Sequence, residues 1–238
     1  MTDMLYRTDP YRKSAFARVM ALTPEGGIVP DASIFYAKGG GQPGDSGHIA
    51  WDGGGCDIAG AVKGVEDAIV LVPAEESPLP PPGAEIEMRL DWDRRHRFMR
   101  MHTALHLLSV VVPLPVTGGQ IGAEKSRLDF VMPEVIFDRD FIQDRLTQLI
   151  AEDHAVTEEW ITEAELDANP GLVKTLSVQP PRGAGHIRLV RIGTIDAPID
   201  LQPCGGTHVR STAEIGAVEV GKIENKGKSN RRISIILV

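Results

Sequence analysis

Two short segments of this chain hold donors of the kinds that bind a transition metal. In His102-Thr103-Ala104-Leu105-His106 the imidazoles stand four residues apart. Residues i and i+4 of a helix project from one face, so both rings reach a single point. Cys204-Gly205-Gly206-Thr207-His208 adds a thiolate and a third imidazole around a turn that its glycines allow to fold tightly. His102, His106, Cys204 and His208 together make a full shell for Zn²⁺, which favours nitrogen and sulfur in a tetrahedron. About a hundred residues separate the halves, so the metal joins parts of a larger fold instead of building a small finger. Zinc with four protein ligands is structural, and zinc with an open position activates water or polarises a carbonyl. Spacing leaves both open.

Thr103, next to the first ligand, offers a hydroxyl within reach of a substrate. Gly118-Gly119-Gln120-Ile121-Gly122 followed by Arg127-Leu128-Asp129-Phe130 reads as a turn entering a strand. Gln120 is a candidate polar contact there, and Asp129 a candidate acceptor behind a ligand histidine. His48, His96, His154 and His186 have no partner at metal spacing and are read as structural. Cys56, between Gly55 and Asp57, is read as an ordinary thiol. The densest glycine segment, FYAKGGGQPGDSG at 35–47, ends in neither Gly-Lys-Ser nor Gly-Lys-Thr and misses the dinucleotide fingerprint. Its successive glycines allow close backbone approach to a ligand or another domain, or make a plain hairpin.

The elements that carry these residues fall into two parts. Up to residue 72 the chain reads as short strands between glycine-rich turns: Ser14–Ala21, Gly27–Val29, Ser33–Tyr36, His48–Trp51, Asp57–Val62 and Ala68–Val72. That rhythm suits a small barrel. A proline-rich loop, Pro73–Gly83, and a strand, Glu85–Leu90, lead to a domain boundary placed near residue 90, giving domains 1–90 and 91–238. The second part opens with a helix from Asp91 to about Val112 that carries both histidines and stops at Pro113. A second helix runs from an Asp138 N-cap to about Asp153, with Phe141, Ile142, Leu146, Leu149 and Ile150 on one face. Strand Ala155–Ile161 precedes a capping box, Thr162-Glu163-Ala164-Glu165, that opens a short helix. Strands Ile187–Ile192, Ile199–Leu201, Ala217–Ile223 and Arg231–Val238 complete an α+β fold.

Composition bounds what such a fold does. With 42% apolar and 24% charged residues the 238-residue chain can build packed cores. Its longest apolar run, Leu107–Val112, is far short of a membrane span. The N-terminus lacks an apolar signal core and two cysteines make no disulfide framework, so a cytoplasmic location is the default. A net charge of −8 argues against a generic nucleic-acid coat. Residues 134–167, however, hold eleven acids against two bases, which leaves 22 acids and 23 bases elsewhere. Two basic clusters stand out in the remainder: Arg89, Arg94, Arg95, Arg97 and Arg100, and Lys222, Lys226, Lys228, Arg231 and Arg232. An anionic partner can bind one face while the acidic segment faces away. The second cluster flanks a hairpin with Asn225 and Gly227 in its turn.

FYAKGGGQPGDSG, RMHTALHLL, QPCGGTHVRSTAEIG and KIENKGKSNRRISI occur in this order in the alanyl-tRNA editing proteins, which the chain resembles from about Asp9 to its end. These are freestanding relatives of the editing domain of alanyl-tRNA synthetase, and the second half is also similar to that of threonyl-tRNA synthetase. The resemblance implies a β-barrel domain, a zinc-bearing α+β editing domain, and hydrolysis of the ester joining a wrong amino acid, typically serine and possibly glycine, to alanine tRNA. It places zinc ligands on His102, His106, Cys204 and His208, and an editing-pocket motif on Gly39, Gly40, Gly41, Gln42 and Pro43. Where many relatives have proline after the Phe-Tyr pair, this chain has Ala37. Nothing in it resembles an aminoacylation core. Thr103 and Gln120 are the candidate catalytic residues, and Lys222, Lys226, Arg231 and Arg232 the candidate contacts to acceptor-stem phosphates. A zinc-stabilised tRNA-binding module without chemistry, and a metallohydrolase of small esters, are the competing functions.

Overall fold

The computed structural model describes residues 1–75, 77–176 and 185–238. It divides into two compact units, Met1–His96 and Arg97–Val238.

The first unit contains β1 (Asp3–Met4), β2 (Ser14–Leu22), β3 (Ile28–Pro30), β4 (Ala32–Ser33), β5 (Gly47–Trp51), β6 (Gly54–Lys63), β7 (Ile69–Pro73) and β8 (Glu85–Leu90). Six of them close a barrel in the order β2-β3-β7-β6-β5-β8, and β1 pairs in parallel with β4. Alternation does the sorting: along β2, Ala15, Ala17 and Val19 point inward while Phe16 and Met20 stay exposed. Ile28, Ile49, Ile58, Ile69, Leu71, Ile86 and Met88 complete the filling.

Two expectations change here. Ser33–Tyr36 is not a strand beyond Ser33, because side chains take the backbone donors that a ladder would use. Phe35 N–H donates to Ser33 Oγ at 3.0 Å and Tyr36 N–H to Asp45 Oδ2 at 2.6 Å. The arginines near residues 89–100 do not form one open patch. Arg95 is fully buried in an ion pair with Asp45, its Nε lying 3.0 and 2.9 Å from the two carboxylate oxygens. Arg94 donates to Gly44 O at 2.8 Å and Arg89 pairs with Glu87. The glycine segment forms a two-residue turn: Gly39 and Gln42 exchange backbone hydrogen bonds, with φ of +56° at Gly40 and +81° at Gly41. Positive φ at both central positions is what a type I′ turn demands. The proline-rich loop is irregular beyond Pro73, with Glu76 outside the described residues.

The division between the units falls inside α1 (Trp92–Val111). Past Phe98 this helix is buried nearly all round, with Met99, Met101, Ala104, Leu105, Leu107 and Leu108 alongside His102, Thr103, His106 and Ser109. A helix of that kind is a core element, and polar side chains on it need internal partners. The second unit continues with β9 (Val116–Gln120), β10 (Lys125–Val131), α2 (Arg139–Ala151), β11 (Val156–Thr162), α3 (Glu163–Ala168), β12 (His186–Gly193), β13 (Pro198–Pro203), β14 (Val218–Val220), β15 (Glu224–Asn225) and β16 (Asn230–Leu237). One antiparallel sheet runs β14-β16-β10-β9 with β15 added to β16, and a second runs β11-β12-β13.

Asp138 caps α2, accepting from Phe141 N–H at 2.7 Å, and the Thr162–Glu165 capping box opens α3. Ile142, Leu146, Leu149 and Ile150 form the buried face of α2, but Phe141 is exposed and stacks on Phe137. It sits in the first turn, off the apolar stripe. Gly118 and Gly119 lie within strand β9, not in a turn: Gly119 pairs with Leu128, whose side chain a Cβ there would meet at 3.0 Å. The terminal hairpin forms, but Asn225 lies in β15 opposite Arg231 and not in the turn, where Gly227 N–H donates to Asn225 Oδ1 at 3.0 Å.

Candidate metal centre

His102 and His106 lie one turn apart on α1, and Cys204 and His208 flank the glycine turn that follows β13. Their ligand atoms all lie within 4.8 Å of one another. Cys204 Sγ is 3.4 Å from His102 Nε2 and 3.3 Å from His208 Nε2. Zinc bonds of about 2.3 Å to sulfur and about 2.0–2.1 Å to nitrogen set the S···N edge of a tetrahedron at ~3.5 Å. Those two edges therefore stand at the spacing that ion requires. Three imidazoles and a thiolate also lack the oxygens that calcium or magnesium would take. The histidines are buried and Cys204 is half-buried, which suits a held ion.

Two rings are fixed from behind. His106 Nδ1 lies 2.8 Å from Asp200 Oδ2, and this buried carboxylate also accepts from Gln202 Nε2 at 2.7 Å and from the Lys174 ammonium. Thr103 donates its hydroxyl proton to Met99 O at 3.0 Å and so accepts from His208 Nδ1 at 3.1 Å and Val209 N–H at 3.3 Å. Both contacts put the ring proton on Nδ1 and leave Nε2 facing the centre. Arg188 holds the glycine turn, donating to Cys204 O at 2.7 Å and Gly206 O at 3.0 Å while its other guanidinium nitrogens bind Glu158.

The electrostatics supply the thiolate that ligation needs, whereas His106 must shed its second proton to take an ion. Burial pushes the Cys204 thiol up, but the neighbouring His102 and His208 outweigh it and hold the group well below the usual thiol range. Burial works against charge on His106, yet hydrogen bonds to Asp200 and Cys204 raise it to about 9. His208 is pushed down to about 3, by burial first and then by charge on His102. Asp200 resists burial through His106 and Lys174 and sits at about 2.

The remaining expected residues divide. Thr103 is fully buried with its hydroxyl committed to His208 and Val209, so it supports a ligand and does not present its oxygen to a substrate. Asp129 is not behind a ligand histidine. It lies on β10, paired with Arg127 and Arg232, and Asp200 has the place expected of it. Gln120 is exposed at the end of β9, opposite Arg127. Gly40 and Gly41 form a turn of the first unit that Gly39 and Gln42 close, with Pro43 following it. Lys222 and Lys226 are exposed, whereas Arg231 and Arg232 are half-buried and engaged within the chain. Asp200, Gln202, Lys174 and Arg188 escaped the sequence analysis. One signal was present: Asp200, Gln202 and Cys204 alternate, so a strand places all three on one face.

The family model of the threonyl and alanyl tRNA synthetase second additional domain matches residues 187–234, which include Cys204 and His208. The chain is 33% identical over 250 residues to alanyl-tRNA editing protein AlaX-M of Methanosarcina acetivorans, with all of both chains covered. It is 31% identical to the protein of the same name from Saccharolobus solfataricus, covering 98% of each. Against alanine–tRNA ligase of Pyrobaculum aerophilum it is 36% identical over 234 residues, 94% of this chain but 25% of that one. Matched end to end with freestanding relatives, and with only a quarter of a ligase, this chain belongs to the alanyl-tRNA editing proteins.

Proposed function

We propose that the chain is a trans-editing deacylase that hydrolyses the ester of a wrong amino acid, serine or glycine, on alanine tRNA. The observation that carries it is the His102–His106–Cys204–His208 cluster, its ligand atoms gathered within 4.8 Å in a chain similar throughout to alanyl-tRNA editing proteins. Zinc held by these four residues supplies an electrophile that can orient an amino acid or polarise a carbonyl or water.

The chain itself has modest work to do, because an aminoacyl ester is already reactive. Holding its carbonyl in line with water and meeting the developing oxyanion with fixed donors is sufficient. Asp200 and Thr103 keep two imidazoles from turning. Gln120, exposed at the strand end, is the polar group we assign to the aminoacyl end. The Gly40–Gly41 turn, with no side chains, is assigned to the wall that limits the amino acid. A pocket that hydrogen-bonds the serine hydroxyl turns away alanine, since alanine would leave that polar group unpaired. Lys222 and Lys226 on the terminal hairpin, with Arg231 and Arg232 beside them, are assigned to acceptor-stem phosphates. No helix among the described residues is long and apolar enough to cross a membrane, and the cytoplasm is the compartment in which this chemistry has a substrate.

The deciding experiment is deacylation of serylated, glycylated and correctly charged alanine tRNA, with and without a chelator. Release of serine, sparing of alanine, and loss on chelation are expected. Binding of tRNA without release of any amino acid would make the chain a non-catalytic module. Equal turnover of small esters without tRNA would make it a general metallohydrolase.

A further inference from the structure

The back of the metal centre holds two groups that ask opposite things of His106. Nδ1 of that ring has Asp200 Oδ2 at 2.8 Å and Gln202 Nε2 at 3.2 Å. A carboxylate only accepts, so it draws a proton onto Nδ1 and leaves a lone pair on Nε2. An amide nitrogen only donates, so it would make Nδ1 the acceptor and put the proton on Nε2, where no metal can bind. Asp200 prevents this in two ways. It is the nearer partner of the ring, and it also takes the competing donor, with Gln202 Nε2 at 2.7 Å from the same oxygen. Lys174 occupies the other oxygen, Oδ1, so the carboxylate is kept ionised and aimed at the ring while 2% exposed.

We infer that Asp200 is a positioning residue that selects the metal-binding tautomer of His106 against the competing donor Gln202, with Lys174 as its counter-ion. This rests on the four-residue metal centre but not on the deacylase reaction. Outer partners of metal-ligating histidines matter by about 10–100-fold in metal affinity. Here the loss on removing Asp200 has a specific origin: the freed Gln202 amide turns to Nδ1 and holds the ring in the wrong form. A second change that removes Gln202 therefore gives back part of what the first one took.

The test is zinc affinity of the full chain, without tRNA, by competition with a chromophoric chelator. Asp200→Ala is expected to bind zinc about 10–100-fold more weakly. Asp200→Asn, whose amide oxygen still accepts from Nδ1, loses less. Asp200→Ala combined with Gln202→Leu binds more tightly than Asp200→Ala alone. Gln202→Leu by itself binds at least as tightly as the unmodified chain, and this arm stands even where Asp200→Ala does not fold. A nitrogen-15 spectrum of the zinc-free chain at alkaline pH shows the His106 proton on Nδ1, moving to Nε2 in folded Asp200→Ala. Unchanged affinity in folded Asp200→Ala overturns the proposal, as does a double variant no tighter than the single one, or a tenfold loss in Gln202→Leu. Absence of deacylation would leave every one of these readings unaltered.

Discussion

Arg232 faces Asp129 across β16 and β10, its Nε and Nη2 lying 2.7 and 2.9 Å from the two carboxylate oxygens. Arg127 reaches the same carboxylate from its own strand. Two of the cations near the terminal hairpin are thus spoken for: Arg232 by this pair, and Arg231 by Pro133 O at 2.7 Å and Asn225 Oδ1 at 3.1 Å. Lys222, Lys226 and Lys228 are exposed.

The lysines should therefore dominate the salt dependence of tRNA binding. Replacing Lys226 and Lys228 by Ala is expected to weaken binding and flatten the salt slope by roughly one unit per cation. Arg231→Ala with Arg232→Ala should flatten it less and lower the melting temperature more. Filter binding across a salt series separates the two cases. A steeper loss of slope in the arginine variant would move the phosphate contact onto Arg231 and Arg232.

Asp129 should leave a mark on acid stability. Its hydrogen bond with Arg232, then that with Arg127, holds its carboxyl below the ordinary range against the effect of burial. A depressed folded value means the contribution is present in full above the unfolded value of about 3.9 and is lost as pH falls through the folded one. Melting temperatures followed from pH 7 to pH 3 should fall less steeply at the acid end in Asp129→Asn. Parallel curves would show that the pair contributes nothing.

Cys204→Ala should strip most of the zinc, since the thiolate is the strongest donor of the four and the only one with charge. Elemental analysis of the purified variant measures it. Full occupancy would remove Cys204 from the shell.

Thr103→Val keeps the shape of the side chain and deletes the acceptor for His208 Nδ1 and Val209 N–H. Leaving buried donors unpaired costs about 1–3 kcal/mol, readable in urea unfolding of the zinc-loaded protein, and Thr103→Ser should recover most of it. A hydroxyl that served the substrate alone would leave stability unchanged in the valine variant.

At Gly40 a new Cβ meets nothing within 4 Å, so space is not the obstacle. The obstacle is φ of +56°, which costs an L-residue about 1–2 kcal/mol. Gly40→Val should slow deacylation or shift the preference between serine and alanine while zinc content stays whole. Unchanged rates and preference would leave the segment as a plain hairpin turn.

The metal ligands could be read from the sequence because each half is local: four residues of helix, four of a tight turn. The barrel could be read because alternation and glycine turns recur at short range. What escaped depends on distant contacts. Asp200 meets His106 across 94 residues of chain, and only the sheet containing β13 brings it there. Asp129 is the candidate the sequence offers for that role, yet its own strand hands it Arg127 and β16 hands it Arg232. Arg95 looked like part of a surface cluster until Asp45, 50 residues earlier, claimed it. Ser33–Tyr36 has the composition of a strand, but Ser33 and Asp45 side chains take its amide protons. Phe141 precedes Ile142 by one residue, about 100° of helix, and so falls off the buried stripe that Ile142, Leu146, Leu149 and Ile150 form.

Cys204 and His102 are separated by 102 positions, and an ion that holds both ties a loop of that length shut. Closing a loop of about 100 residues takes some 4–5 kcal/mol of freedom from the unfolded chain in the disulfide model, and a metal clip acts on the same entropy. The barrel, closed strand to strand, contains none of the four ligands. Withdrawing the ion thus loosens Arg97–Val238 and spares Met1–His96, so a chelated sample should melt in two steps where the loaded one melts later and more sharply.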